Sequence, residues 1–569
     1  MSKIIKANII FVTIILISVF LRFYLLGNIP AGLLNDEANA GYDAYSLLLT
    51  GRDQWGSFLP LNNFIGFGDF QPPVNRYSSV ISVALFGLNA FSVRFISALT
   101  GVFSVITLYL LVKKLVNQNA ALFSAVLLAI MPWSVGLNRI GHESNIAIFL
   151  LLISLVFGLL KGVKKGLYFS AFFLALSMYT YSAYILYAPI VLLVVLFANY
   201  KKENGFKPLI KPLILFLIII LPIIFQKNAA SVRFSQVGLT TNITSIGLVN
   251  TLNDERGQCQ SAINPFICKI INNKQLLFLN TFTKNYLSHF STNFLYISGT
   301  DTQFSILPKR GLDSLFNFLP LILGIWFLIK NNKNKRVNYS LVFLFFLAPL
   351  PDSFTSDGNY VRSSIMIPFL ALFNGLGFYY LFNILKQKKG FKYLPTILFS
   401  LIILFSTASF FITYATYFKN NYSIFSQYGY KDLMEETHSL KGSYDRIYIT
   451  RHLNDTKQYI YYLFFNKYDP VKYQNKKDVS YSKEENGWLS IDRIENIYFV
   501  QNPPIIDENS NLSSRKILII SNPVDFPKEI KPVFVIKDKL GNVLFKAVNL
   551  SDLLKYNKEH KKGLSSEGV

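Results

Sequence analysis

The sequence predicts a polytopic α-helical membrane protein, with about 11 transmembrane helices and a small α/β domain at its C-terminal end. Three observations carry that expectation. Hydrophobic residues make up 51% of the 569, aromatics 16% and charged residues only 15%, the composition of a chain whose main solvent is lipid. Apolar segments of roughly the length that crosses about 30 Å of hydrocarbon recur near residues 7–26, 92–112, 117–133, 144–160, 166–180, 183–199, 209–226, 312–329, 337–350, 363–384 and 394–415. Cations gather in every second connection: Lys3 and Lys6; Lys113 and Lys114; Lys161, Lys164 and Lys165; Lys201, Lys202, Lys207 and Lys211; Lys330, Lys333, Lys335 and Arg336; Lys386, Lys388, Lys389 and Lys392. Those 19 cations face one acid, Glu203, while the other 12 of the 13 acids before residue 420 fall in the alternate loops. The positive-inside rule then sets the N-terminus in the cytoplasm and everything after residue 416 outside. The net charge of +24 is therefore a topology signal, not a nucleic-acid face.

The first apolar run follows Lys3 and Lys6 and could be taken for a signal peptide. It is longer than a usual signal core, and no small-x-small cleavage site precedes Asn35, so a retained first span is expected. Arg22, near its outer end, can snorkel to the interface. Three outward segments are too long to be mere connections: 27–91, 227–311 and the tail 416–569. In the first, Asn35 is placed to cap a helix through "DEANAGYDAYSLLLT" that Gly51 ends, and "YSSVISVALFG" reads as an interfacial helix. In the second, Cys259 and Cys268 bracket eight residues; outside the cytoplasm they are expected to form a disulfide, a reactive thiol or metal pair being the alternative. The tail offers strands at "DRIYIT", "IENIYFV", "RKILIISN", "KPVFVIKD" and "NVLFKAVNL", and a helix at "DTKQYIYYLFF". The inward loops hold no Gly-rich phosphate cradle, which argues against ATP hydrolysis on that face.

Candidate chemistry lies in the outward loops. Asp36 and Glu37 sit in a first helical turn, where carboxylates stabilise the macrodipole, and they emerge where carboxylates could serve an acceptor hydroxyl as base or orienting group. "MPWSVGLNRIGHESN" supplies Arg139, His142 and Glu143; on one helix Arg139 and Glu143 would share a face as an ion pair, or Arg139 could hold a phosphate and Glu143 a substrate hydroxyl. Tyr179, Tyr181, Tyr184 and Tyr187 are interfacial anchors or a platform for sugar and prenyl groups. "PLPDSFTSDGNYVRSSIMIPF" brings Asp352, Asp357, Tyr360 and Arg362 to the outer surface, with Arg362 a second phosphate candidate or a snorkelling cation.

Taken in order, "DEANAGYDAYSLLLTGRDQWG", "QPPVNRYSSVISVALFGLNAFSVRFISAL", "MPWSVGLNRIGHES", "YTYSAY", "NYLSHFSTNFLY" and "PLPDSF…RSSIMIPF" make most of residues 1–400 resemble the polytopic GT-C glycosyltransferases of the protein O-mannosyltransferase and lipid A aminoarabinose-transferase type. The resemblance implies a GT-C catalytic body over 1–415 and an extracytoplasmic α/β domain over 416–569. It implies sugar transfer from a polyprenyl-phosphate carrier to an outer-face acceptor (protein, lipid or envelope glycan), with inversion, in the cell membrane. Asp36 matches the catalytic acid of the first loop and Glu37 its neighbour. Arg139 and Glu143 match the Arg-x-x-x-Glu of the second; Tyr181, Tyr184 and His289 fall in matched motifs as substrate contacts. Where lipid A transferases carry Lys before Pro-Pro, this chain has Gln71, so Arg76 becomes the stand-in phosphate contact. No Asp-x-Asp or His cluster calls for a metal, although the acidic pair leaves room for a divalent ion. A lipid-linked glycan flippase or polymerase would handle the same carrier and differ by product, since the transferase releases free polyprenyl phosphate, and a non-enzymatic receptor would have no use for charged groups in four outward loops.

Overall fold

The computed structural model describes residues 3–62, 64–160, 165–203, 205–225, 246–300, 310–387, 393–418, 427–450, 457–483, 488–504 and 514–566. Lys161, Lys164, Lys388, Lys389 and Lys392, parts of the 227–311 loop and the first two residues of the "DTKQYIYYLFF" helix lie outside them. The chain divides into two compact units: Met1–Tyr24, Pro72–Asn75 and Ile96–Tyr414 form the first, and Leu25–Gln71, Arg76–Phe95 and Ala415–Val569 the second.

The first unit is helical. Each of the eleven apolar segments contains a helix, but length separates them. Among the described residues five helices, Ile5–Phe23, Ala90–Leu115, Lys207–Phe225, Arg362–Gln387 and Leu394–Thr416, are long and apolar enough to cross a membrane; a sixth arises if Gln118–Ile130 and Pro132–Asn138, bent by 55°, count as one. Pro132 supplies the break, since it cannot donate to the preceding turn. Helices such as Gly166–Met178 and Lys335–Leu347, 13 residues each, rise only about 20 Å, short of the hydrocarbon thickness. Helix length alone thus carries fewer than the expected eleven spans. Packing relies on small residues: a Cβ on Gly324 would come within 1.8 Å of Phe373 O, and one on Gly377 within 1.9 Å of Pro320 O, so helices Phe318–Lys330 and Ile367–Gln387 meet backbone to backbone.

Arg22 does not snorkel. It is fully buried, its Nε donating to Asn138 Oδ1 at 2.8 Å and its terminal nitrogens to Ser18, Leu128 O, Ala129 O and Ser134. Leu128 and Ala129 close the helix Gln118–Ile130, and carbonyls at a helix C-terminus are the unpaired, electronegative ones. Inward burial gives the guanidinium more acceptors than the interface would.

The second unit is α/β. Strands β1 (Phe64–Ile65) and β2 (Phe70–Gln71) form a hairpin; β3 (Arg446–Thr450), β4 (Val479–Lys483), β5 (Leu489–Ile494), β6 (Ile497–Val500), β7 (Ile517–Ser521), β8 (Phe534–Lys537) and β9 (Val543–Asn549) form a sheet in the order β4-β5-β6-β3-β7-β9-β8. The central β3 runs parallel to β6 and β7, and the flanking pairs are antiparallel. All five residues of β7 are buried, because both faces of the sheet are covered. Ile447, Ile449, Leu518 and Ile520 join a core with Ala38, Tyr42 and Phe67 of the first outward loop and Tyr459–Phe464 of the tail; Tyr448, Ile517 and Ile519 pack on the other face against Leu553 and Leu554. The five expected strands form. β4 and β5, from the charged stretch around 479–494, were not anticipated.

Candidate functional site

In the second unit the helix Asn35–Thr50 ends at Gly51 in the left-handed conformation (φ 67°), as expected. Its start differs from expectation: Asn35 is the first helical residue, Leu34 occupies the cap position without a side-chain bond, and the Asn35 carboxamide accepts instead from the Asp36 amide at 2.8 Å. The adjacent carboxylates have different surroundings. Glu37 is 2% exposed, taken by Arg94 through Nε–Oε1 at 2.8 Å and Nη2–Oε2 at 3.0 Å, and it also accepts from the Leu34 amide at 2.9 Å. Arg94 spends its remaining hydrogens on Leu26 O, Pro30 O and Gly32 O. This fork-to-fork pair ties the entry of the helix to the peptide before it. Asp36, one residue earlier, is half-buried.

About two turns on, Asp43 pairs with Arg76 at 2.9 Å, both buried. Burial pushes the Asp43 carboxyl up to about 6 against the opposing pull of Arg76. Arg76 also donates to Gln71, the residue before Pro72 and Pro73, and Gln71 reaches Asp69 at 3.3 Å and Asn39 at 3.4 Å. Arg76 lies over the Phe64 ring. The stand-in cation is thus built into the loop's own polar network.

In the first unit, Arg139 follows the helix Pro132–Asn138, and the next helix begins at Ser144 with Glu143 at its cap position. The two residues do not share a helix, because the backbone turns at Arg139 (φ −93°, ψ 0°); the four-residue spacing carries no common face. Arg139 is 3% exposed. It donates to Tyr414 Oη at 2.8 Å, Leu21 O at 2.8 Å and Tyr24 O at 2.7 Å, with the Tyr414 ring beneath its guanidinium. Glu143 is partly exposed, 3.7 Å from His142. His142 meets Tyr181 edge to face at 5.4 Å, and Tyr181, Tyr184 and Tyr187 continue as a chain of rings. Tyr184 is buried with no bond to its hydroxyl.

His289 and Asp352 come together at 2.9 Å, both completely buried. His289 Nδ1 donates to Asn285 O at 2.6 Å. Asp352 also accepts from Ser356, Ser363 and the Asn359 amide at 2.6 to 2.7 Å. Burial pushes its carboxyl up, but the hydrogen bond and charge of His289, with the hydrogen bonds from Ser356 and Ser363, together hold it below the usual carboxylate range. His289 therefore fastens the helix Lys274–Ser288 to the segment carrying Arg362. Arg362 is 29% exposed, 3.0 Å from Thr355 and 3.9 Å from Asp352. Cys259 and Cys268 are disulfide-bonded. Among the described residues, no group of three or more His, Cys, Asp or Glu side chains could hold a metal ion.

Arg94, Asp43 and Asn138 were not singled out from sequence. Arg94 did leave a signal, a lone cation inside the apolar "FSVRFISAL", which calls for a partner.

The family model of dolichyl-phosphate-mannose-protein mannosyltransferases matches residues 70–246. YkcB of Bacillus subtilis (strain 168), provisionally named a mannosyltransferase, is 28% identical over 163 residues, 28% of this chain and 22% of that protein. The undecaprenyl phosphate-alpha-4-amino-4-deoxy-L-arabinose arabinosyl transferase 1 of Pseudomonas fluorescens is 37% identical over 116 residues, 20% of each. The chain thus spans about a fifth of the length of the curated relatives it matches. In fold it resembles ArnT from Cupriavidus metallidurans, solved with undecaprenyl phosphate, at a TM-score of 0.50 and 10% identity over 96% of this chain and 98% of that one. The Archaeoglobus fulgidus oligosaccharyltransferase, solved with a tethered acceptor peptide, gives 0.50 and 14% identity over 81% and 63%.

Proposed function

We propose that this chain, a relative of the GT-C glycosyltransferases by family model, sequence and fold, moves a sugar from a polyprenyl phosphate to an acceptor outside the cytoplasm, with inversion. Residues 1–415 are the catalytic body, with eleven spans and the N-terminus inside, and 416–569 form the extracytoplasmic domain. The observation that carries the reading is the division of labour within the acidic pair: Glu37 is consumed by Arg94, while Asp36, on the same helical turn, is not buried with it. Asp36 keeps the half-exposed position that an approaching acceptor requires. The acceptor oxygen attacks the anomeric carbon, its proton passes to Asp36, and the bond from that carbon to the phosphate oxygen breaks. The lipid phosphate departs with the electron pair. Asp36 acts as the general base, and Glu37 becomes a positioning residue.

Arg362 is the phosphate ligand in this reading, since its partial exposure leaves it within reach of a ligand. Arg139 contributes a buried positive charge that favours the leaving group as charge develops. Arg76 orders the first loop, and Glu143, Tyr181 and Tyr184 are substrate contacts. The test is purified protein incubated with a panel of polyprenyl-phosphate sugars and acceptors. A transferase forms a glycosidic bond and releases free polyprenyl phosphate; a flippase or receptor does neither. Labelling of a cysteine placed in the tail of sealed cells tests the topology, and labelling only after the cytoplasmic face is opened contradicts it.

A further inference from the structure

The first unit holds a second feature that sugar transfer does not use. A cavity of about 620 Å³ opens where the C-terminal ends of helices Phe318–Lys330 and Ile367–Gln387 meet the turn at Val116 and Asn117. Three of the basic connections converge there. Its wall combines Lys330 and Lys333, the carboxamides of Asn331, Asn383 and Gln387, and aromatic rings including Trp326 and Tyr380, which meet edge to face at 5.3 Å. None of these lining side chains, nor any other described residue lining the cavity, is acidic. Asn117 is committed to the frame: its carboxamide caps Ala120 N at 2.9 Å and donates to Tyr379 Oη at 2.7 Å.

Lysines at helix C-termini also answer the helix dipole, which accounts for their sign but not for the other groups. A dipole needs no 620 Å³ recess, no row of amide donors and no aromatic wall. Cations plus amide donors match an anionic oxygen cluster, and tryptophan and tyrosine prefer the depth of lipid headgroups and glycerol. Basic recesses between membrane helices hold phosphorylated headgroups for this reason. The volume falls in the range of small-molecule sites.

We propose that this cavity binds the phosphodiester headgroup of an anionic phospholipid, with Lys330 and Lys333 as the charge contacts and the amide side chains as hydrogen-bond donors. The site is separate from the transfer chemistry and rests on the membrane placement of the helices, which the basic loops assign to the inner leaflet. A bound lipid would fix the helix Phe318–Lys330 against Ile367–Gln387 at their C-terminal ends, next to the contact of Gly324 and Gly377.

The experiment is titration of the full-length protein in zwitterionic micelles with phosphatidylglycerol, phosphatidylcholine or sn-glycerol 1-phosphate, read by native mass spectrometry. Phosphatidylglycerol should be retained in preference to phosphatidylcholine, and glycerol phosphate, lacking acyl chains, should not displace it. Each lysine near a charged surface is worth about 1 kcal/mol, so Lys330→Gln/Lys333→Gln should weaken retention roughly 10- to 30-fold. Asn383→Asp, which adds a negative charge without changing shape, should weaken it similarly. Lys113→Gln/Lys114→Gln removes the same charge from a neighbouring basic turn outside the cavity and should change retention less than about 3-fold. Equal losses in both lysine pairs would mean diffuse interfacial attraction and overturn the site. Displacement by glycerol phosphate would make it a free-phosphate site and overturn the lipid assignment. Failure of either kind leaves the sugar-transfer assay untouched.

Discussion

Two buried arginines show how differently the units handle charge. Arg94, in the second, is neutralised by the bidentate carboxylate of Glu37 and then saturated by three carbonyls. Arg22, in the first, has as hydrogen-bond acceptors Ser18, Asn138, Ser134 and two carbonyls closing the helix Gln118–Ile130, all of them neutral. Backbone dipoles fixed in place can solvate a cation as a counter-ion does, but with a difference in consequence. A neutralised pair holds structure and presents little charge; a dipole-solvated cation keeps its field. Glu37 and Arg94 therefore act as a fastener in the second unit, as His289 and Asp352 do in the first, whereas Arg22 retains positive potential near the loop that carries Arg139.

The largest effect should come from breaking a fastener. Glu37→Gln leaves Arg94 charged, buried and without its counter-ion, and should cost about 3–5 kcal/mol in thermal or denaturant unfolding of the purified protein. Replacing both partners with apolar residues of similar size should recover most of that loss. If Glu37→Gln alone is neutral, the pair is not a fastener.

Asp352→Asn comes next. It removes the acceptor of His289 and of several neutral donors, and should cost about 2–3 kcal/mol at pH 7. Its pH dependence has a definite sign. The folded carboxyl titrates below its unfolded value, so the stabilisation is present above the ordinary carboxylate range, near pH 4, and is lost as pH falls below it. Asp352→Asn should flatten that acid limb, which a melting series from pH 7 to pH 3 would show.

Arg22→Met should be milder, about 1–3 kcal/mol, since it strands neutral acceptors and no charge. A cost equal to that of Glu37→Gln would erase the contrast between the two regions.

What was legible in the sequence follows from the range of the forces involved. The helix at 35–50, the strands at 446–450 and 517–521, and the apolar helices all declare themselves through local period and composition. The Cys259–Cys268 bond was readable because only nine positions separate its ends. Glu37 and Arg94 are 57 positions apart and Asp43 and Arg76 33 apart, so no window on the sequence contains either pair. Arg139 and Glu143 taught the reverse lesson: their spacing fits a helical face only if the backbone is helical there, and Gly141 lies in the turn that prevents it. Arg22 was misjudged because snorkelling ignores the carbonyls that another helix brings to it.

The proposed roles of Asp36 as base and Glu37 as positioning residue are separated by one paired measurement: turnover of polyprenyl-phosphate sugar and melting temperature, both for Asp36→Asn. The substitution keeps size and removes basicity. The predicted result is a melting temperature near the parent's, unchanged carrier binding, and transfer reduced at least about 100-fold, within the range of general-base contributions. Near-parental turnover by the well-folded variant would contradict the account and return both carboxylates to a structural role.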